Sequence, residues 1–247
     1  MNSIRIRFTR GEDVKFISHL DLMKVFERAI RRSNLPIAYS MGFNPHPGMV
    51  FGLPLSVGVT SDGEYADFEL VQKMKPEQFM EVLNESLPAA IKITAAAEKN
   101  IKTNIMASIS GADYTLYIFL NEMVSLEAAK EKLEMMMKME SINVLKEGKG
   151  TAKVVDIRPM ILEASLEAIK QVPFGYEDFE AAFTVLTKFS AGSTANLRPE
   201  LFVRALVEQA ELPVAVSRLH RRALYVNRNG RMVDPLDPAV LNETKVK

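Results

Sequence analysis

Along the first hundred residues the apolar positions change period several times, and each change marks an element. Ile4, Ile6 and Phe8 alternate with Arg5, Arg7 and Thr9. That period of two predicts a half-buried strand over Ser3–Thr9 with a cationic outer face. From Ser18 the period lengthens, and Leu22, Val25, Phe26, Ala29 and Ile30 fall on one face of a helix. Ser18 is its predicted N-cap, Asp21 completes a capping-box-like pair, and Asn34-Leu35-Pro36 ends it. A short strand, Ile37–Ser40, leads into GFNPHP, where Gly42, Pro45 and Pro47 break the chain. Met49–Val59 and Glu64–Val71 predict a hairpin whose turn is Ser61-Asp62-Gly63. Pro76 opens a helix running to Leu87, and Ile91–Ala96 follows as a strand.

The second half repeats this order. Tyr114–Leu120 reads as a strand, Ser125–Met139 as a helix, and Ile142–Lys146 as a strand broken by GKGT. Lys153–Ile169 and Asp178–Phe189 read as a long hairpin around Pro173 and Gly175. A helix from Leu197 to Gln209 and a strand over Val214–Val226 complete the series, and Asn229-Gly230 predicts a terminal hairpin. The opening of the second helix is echoed between halves, Lys75-Pro76-Glu77-Gln78-Phe79 against Arg198-Pro199-Glu200-Leu201-Phe202. The expected fold is therefore α+β: two tandem ferredoxin-like (βαββαβ) domains with interrupted second strands. The first occupies 1–100, the second 112–233 with its terminal hairpin, and 234–247 is a frayed tail.

Composition narrows the chemistry. The 247 residues include no cysteine, which excludes disulfides, thiolate metal sites, a cysteine nucleophile and a protein-held iron–sulfur cluster. With three histidines, no cofactor or metal centre is expected. Of the fourteen methionines, the four in Met135–Met139 read as core filler. No apolar run is long enough to span a bilayer, and the N-terminus lacks an apolar signal core, so a cytoplasmic protein without a membrane partner is expected. Zero net charge conceals an uneven spread: residues 1–50 carry eight Lys and Arg against four Asp and Glu, and residues 51–100 carry four against eight. From residue 201 the balance is again basic, eight against five, so both ends are cationic.

Topology then suggests a site. In a βαββαβ unit the start of the first helix and the end of the second strand share one edge, which places His19 and His46, 27 residues apart, on one rim. The helix N-terminus should lower the pKa of His19 and favour an anion there. His19 and His46 are the candidate acid–base pair. Arg5, Arg7, Lys15, Asp21, Lys24, Arg28, Tyr39 and Asn44 are candidate binding residues around them. Tyr39 and Phe43 also read as packing residues, Asp21 as the cap and Asn44 as a turn former. A second candidate constellation is Arg198 with Arg218, His220 and Arg222, the last three on one face of a strand that carries Leu219, Arg221 and Ala223 on the other. Basic residues interleaved with an aromatic, here Tyr225, suit a nucleic-acid backbone.

FISHLDLMKVFERAIRRSNLPIAYSMGFNPHP, followed by FGLPLSVGVTSDGEYADFEL, resembles the radical-SAM-linked family of uncharacterised bacterial proteins, and the likeness returns at Asp156-Ile157-Arg158-Pro159. The resemblance implies a radical-SAM protein as partner, with this cysteine-free chain as the companion. It brings no established reaction with it. More loosely, the expected fold with a histidine at the first helix is similar to the RAMP endoribonucleases. Three functions are thus compatible with the sequence. The first is an accessory protein, not an enzyme by itself, that binds RNA and presents it to a radical-SAM partner. The second is a metal-independent endoribonuclease using His19 and His46, and the third a module that binds an anionic small molecule.

Overall fold

The computed structural model describes residues 2–147, 152–173 and 175–242. The fold is mixed α+β with a large sheet and few helices. Strand β1 (Asn2–Arg10) leads to α1 (His19–Ser33), β2 (Met49–Phe51), β3 (Thr60–Leu70), α2 (Pro76–Ser86), β4 (Ile93–Glu98) and the short α3 (Ile105–Ser108). Then come β5 (Ile109–Leu120), α4 (Leu126–Met137), β6 (Asn143–Lys146), β7 (Lys153–Asp156), β8 (Ile161–Ala168) and β9 (Ala181–Ser190). The chain finishes with α5 (Pro199–Glu208), β10 (Val214–Arg228), β11 (Arg231–Val233) and α6 (Pro238–Leu241). It divides into two compact units, one of Met1–Gly111 together with the chain from Arg221 on, the other of Ala112–His220.

In the first unit β1 lies between β3 and β4, antiparallel to both, and β2 pairs antiparallel with β3. Ile4, Ile6 and Phe8 are buried where α1 and α2 pack, against Leu22, Phe26, Ala29 and Ile30 of α1 and Phe79 and Leu83 of α2. Helix α1 starts as its sequence dictates: Ser18 Oγ accepts from Asp21 N at 3.1 Å and donates to the Asp21 carboxylate at 2.7 Å. It stops at Asn34, which takes the left-handed conformation (φ 50°) that unwinds the last turn.

Two local expectations are corrected. Residues 37–40 make only isolated bridges, Ile37 to Leu70 and Tyr39 to Pro47. The hairpin turn is not at Ser61-Asp62-Gly63 either, since these residues lie inside β3 and the connection is the loop 52–59. Gly63 is needed there because a Cβ would sit 2.7 Å from the Arg222 carbonyl oxygen. The glycine marks close backbone approach, not a turn.

The end of the chain is also unlike a frayed tail through residue 241. Arg5 donates to Pro235 O at 3.1 Å, Tyr65 OH to the Asp234 carboxylate at 3.0 Å, and Asn100 N to Leu241 O at 2.8 Å. Val240 and Leu241 are buried. The terminal hairpin forms as expected, with Arg228 opposite Arg231 and both Asn229 and Gly230 at positive φ.

In the second unit, β9 and β8 pair antiparallel, and the strand order is β10-β5-β9-β8. Tyr114, Phe189 and Phe202 form a ring cluster between the sheet and α5. The expected strand Lys153–Ile169 is interrupted at Arg158–Met160 by a 3-10 turn, and β6 and β7 form a separate ribbon. The Asp-Ile-Arg-Pro stretch explains the break: Asp156 Oδ1 accepts from Ile142 N and Arg158 N, while Arg158 ties Met137 O to Ile161 O. The GKGT break, residues 148–151, lies outside the described residues. Met136 is core filler, but its neighbour Met135 is 60% exposed on α4, and Met139, beyond the end of the helix, is exposed too.

Candidate functional site

The start of α1 sits over a group of charges that the sequence did not announce. Arg10, at the end of β1, is buried, and its guanidinium donates to Val14 O at 3.3 Å and Ile17 O at 3.1 Å, bracing the loop that ends at the cap. Its Nε and Nη1 have no hydrogen-bonding partner among the described residues. Glu64 and Arg221, both buried, form a bidentate ion pair, Nε to Oε1 at 2.7 Å, and Arg221 also donates to Leu53 O at 2.8 Å. Burial pushes the Arg10 guanidinium below its ordinary pKa, with Glu64 opposing and Arg221 reinforcing.

His19 stands at the edge of this group, its ring edge-on to Phe51 at 5.7 Å between centroids. Its pKa lies below the ordinary imidazole value, chiefly through burial, then through Arg10, with Glu64 opposing. The expected direction holds, but its main cause is desolvation and not the helix terminus. His19 is thus a neutral imidazole beside a net positive group, able to donate and accept. The available signal was Arg221 itself, an arginine sharing a strand face with Leu219 and Ala223.

His46 is elsewhere. Its ring is 73% exposed, with Nδ1 3.8 Å from Glu27 of α1, eight residues beyond His19 and so about 12 Å along the helix axis. The two histidines take different partners, Phe51 for His19 and Glu27 for His46. What residues 40–46 do form is a loop closed at its base. Ser40 N donates to His46 O at 2.9 Å, and His46 N to Ser40 Oγ at 3.0 Å. Gly42, at φ 141°, turns its tip. This closure holds Met41 and Phe43 almost wholly in solvent, at 99% and 106% exposure, with Asn44 exposed beside them. Phe43 is therefore not loop packing, and Tyr39 is 43% exposed.

Helix α1 presents Leu20, Lys24, Arg28 and Arg31 along one exposed stripe. Lys24 is 3.6 Å from Asp21, which serves as the cap's partner. Just before the helix, Phe16 is 72% exposed with the Lys15 ammonium 5.1 Å over its ring, while Lys15 also pairs with Glu12 at 2.6 Å.

The remaining candidates separate. Arg5 does not face solvent: fully buried, it pairs with Asp67 at 2.6 and 3.0 Å, and Asp67 also accepts from Ile105 N at 2.9 Å. The outer face of β1 is covered at Arg5 by the Asp234–Leu241 segment, which the strand pattern does not reveal. Arg7 is half-buried and donates to Asp62 O at 3.2 Å. Arg198 is exposed at the N-cap of α5. In the second unit Arg218 and His220 are half-buried, Arg218 lying 5.5 Å over the Tyr176 ring. Arg222, in the first unit, is half-buried too.

Among the described residues no cluster of three or more His, Asp or Glu could hold a metal ion, and no helix is long and apolar enough to cross a membrane. Residues 3–199 match the sequence profile of a family described as an uncharacterised protein conserved in bacteria, DUF2344. The chain belongs to this family. The part of DUF2344 matched here includes α1, the 40–46 loop and both His19 and His46, whereas β10 lies beyond it. No curated protein matches the chain. Solved structures with partial likeness include chains of a Cbf5-Nop10-Gar1 complex (10% identity, TM-score 0.43, covering 90% of this chain and 48% of that one). Others come from an archaeal box H/ACA sRNP Nop10-Cbf5 complex (12%, 0.37, 89% and 46%) and an H/ACA RNP bound to a substrate RNA containing 2'-deoxyuridine (11%, 0.38, 93% and 47%). The chain spans about half the length of these structures.

Proposed function

We propose that this DUF2344 chain is an RNA-binding accessory protein whose first unit meets single-stranded RNA through α1 and the 40–46 loop. One observation carries the reading: a loop locked at its base holds Phe43 in water, in the same unit as exposed Phe16 and the Lys24–Arg28–Arg31 stripe. Leaving a Phe side chain solvated forgoes about 1.5–3 kcal/mol of burial, so a rigid loop that does so is suited to a contact made later. Bases stack on such rings for about 1–3 kcal/mol each, and the cations meet the phosphates. A radical-SAM enzyme as the partner that receives the RNA belongs to the same proposal and is supported by the motif resemblance. Two ferredoxin-like units are supported by the repeated order of elements. A ribonuclease built on His19 and His46 has less support, since the histidines are separately engaged.

Fluorescence anisotropy with a labelled single-stranded RNA tests the stacking. Replacing Phe16 and Phe43 together by alanine should weaken binding about tenfold or more. Equal affinity of the double variant and the native chain would remove the aromatic contact from the proposal.

A further inference from the structure

The second unit carries a separate cleft. Along β5, Tyr114, Leu116 and Ile118 turn to the core, so Thr115, Tyr117 and Phe119 line the opposite face. Phe119 is closed over by Tyr176, stacked at 4.3 Å, and by Phe179 at 5.5 Å. Tyr176 N donates to Pro173 O at 3.2 Å. Beyond it the face opens into a cleft of about 480 Å³, a volume within the range of small-molecule sites.

The lining restricts the occupant. Thr115 and Thr184, 7% and 6% exposed, set two hydroxyls in the floor, and Tyr117 adds a ring. Glu167, opposite Thr184 in the β8–β9 register, supplies only acceptors. Lys170 supplies only donors, and the Gln171 amide supplies both. Ile169 and Leu186 form an apolar wall. A ligand that satisfies this set has a flat body, an edge rich in N–H donors for Glu167 and Gln171, and a negative group for Lys170. A guanine nucleotide has all three, since its N1–H and N2 amino group stand side by side to meet both carboxylate oxygens, whereas cytosine and adenine offer one amino group beside ring acceptors. An amino-acid zwitterion could meet Glu167 and Lys170, but would leave the ring and most of the volume unused.

We infer that this cleft binds one unpaired guanine nucleotide, its base edge on Glu167 and its phosphate toward Lys170. The choice of a nucleotide rests on the RNA reading above.

Titration of the full chain with GMP, CMP, AMP, UMP and glutamine, followed by NMR, tests the inference. GMP should saturably shift the signals of Thr115, Tyr117 and Thr184, and CMP, AMP and UMP should do so more weakly. Glu167→Gln should weaken that binding about tenfold or more, the worth of a charged hydrogen bond. Lys170→Gln should weaken GMP but not guanosine. Both residues are exposed, so neither change threatens folding. Shifts absent with every nucleotide, unchanged by Glu167→Gln, or produced by glutamine instead would overturn the inference. RNA anisotropy run in parallel separates the two readings. Salt-dependent RNA binding without nucleotide shifts in the cleft sinks the cleft alone. Nucleotide shifts without RNA binding sustain the cleft and sink the RNA reading.

Discussion

Arg5 and Arg7 occupy equivalent positions in an alternating strand, yet only one keeps any solvent contact. The difference is what lies across the sheet: Asp67 stands opposite Arg5, and Pro235 supplies a carbonyl to it. Removing Arg5 leaves Asp67 in a dry site with Ile105 N and the more distant Lys99 ammonium, at 3.7 Å, as its remaining partners, so Arg5→Met should destabilise the chain by up to about 3–5 kcal/mol in urea unfolding. Arg5→Met with Asp67→Asn should cost less than the sum of the single changes. His19 makes a second prediction. Its folded pKa lies below the ordinary imidazole value of 6.5, so the unfolded chain binds more protons as pH falls through that value. Stability should therefore fall as the pH drops through about 6.5, and His19→Gln should flatten that part of the slope. An unchanged slope in the variant would show that the depression does not arise at His19.

At the scale of elements, the signals that survived are local ones. The α1 cap, its Asn34 stop, the proline starts of α2 and α5 and the Asn229-Gly230 turn depend on neighbours in sequence, and each forms where the residues predict. The misplaced hairpin turn shows the limit. Ser61-Asp62-Gly63 has the composition of a turn, but the glycine there makes room for the backbone of β10, which is remote in sequence. Gly63→Ala should accordingly destabilise by about 1–3 kcal/mol in chemical denaturation, as overpacking does. A neutral effect would mean that β3 and β10 can part without cost. The candidate site divides the same way. His19 at the helix start and the bounded loop after Tyr39 were legible. The Arg10, Glu64 and Arg221 group was not, because it joins side chains more than a hundred and fifty residues apart.

For the whole molecule, the even charge balance conceals where cations and exposed rings stand together. The first unit combines Phe16, Phe43, Lys24, Arg28 and Arg31 on its surface, while Arg5 and Arg221 are drawn inward as structural pairs. Binding through such a surface must release counterions in proportion to the phosphates it meets. The most direct measurement is the affinity of the native chain for a single-stranded RNA across about 50 to about 200 mM salt. Three contacts, from Lys24, Arg28 and Arg31, predict a slope of log affinity against log salt of about −2. An absence of binding at the lowest salt, or an affinity indifferent to salt, would contradict the account.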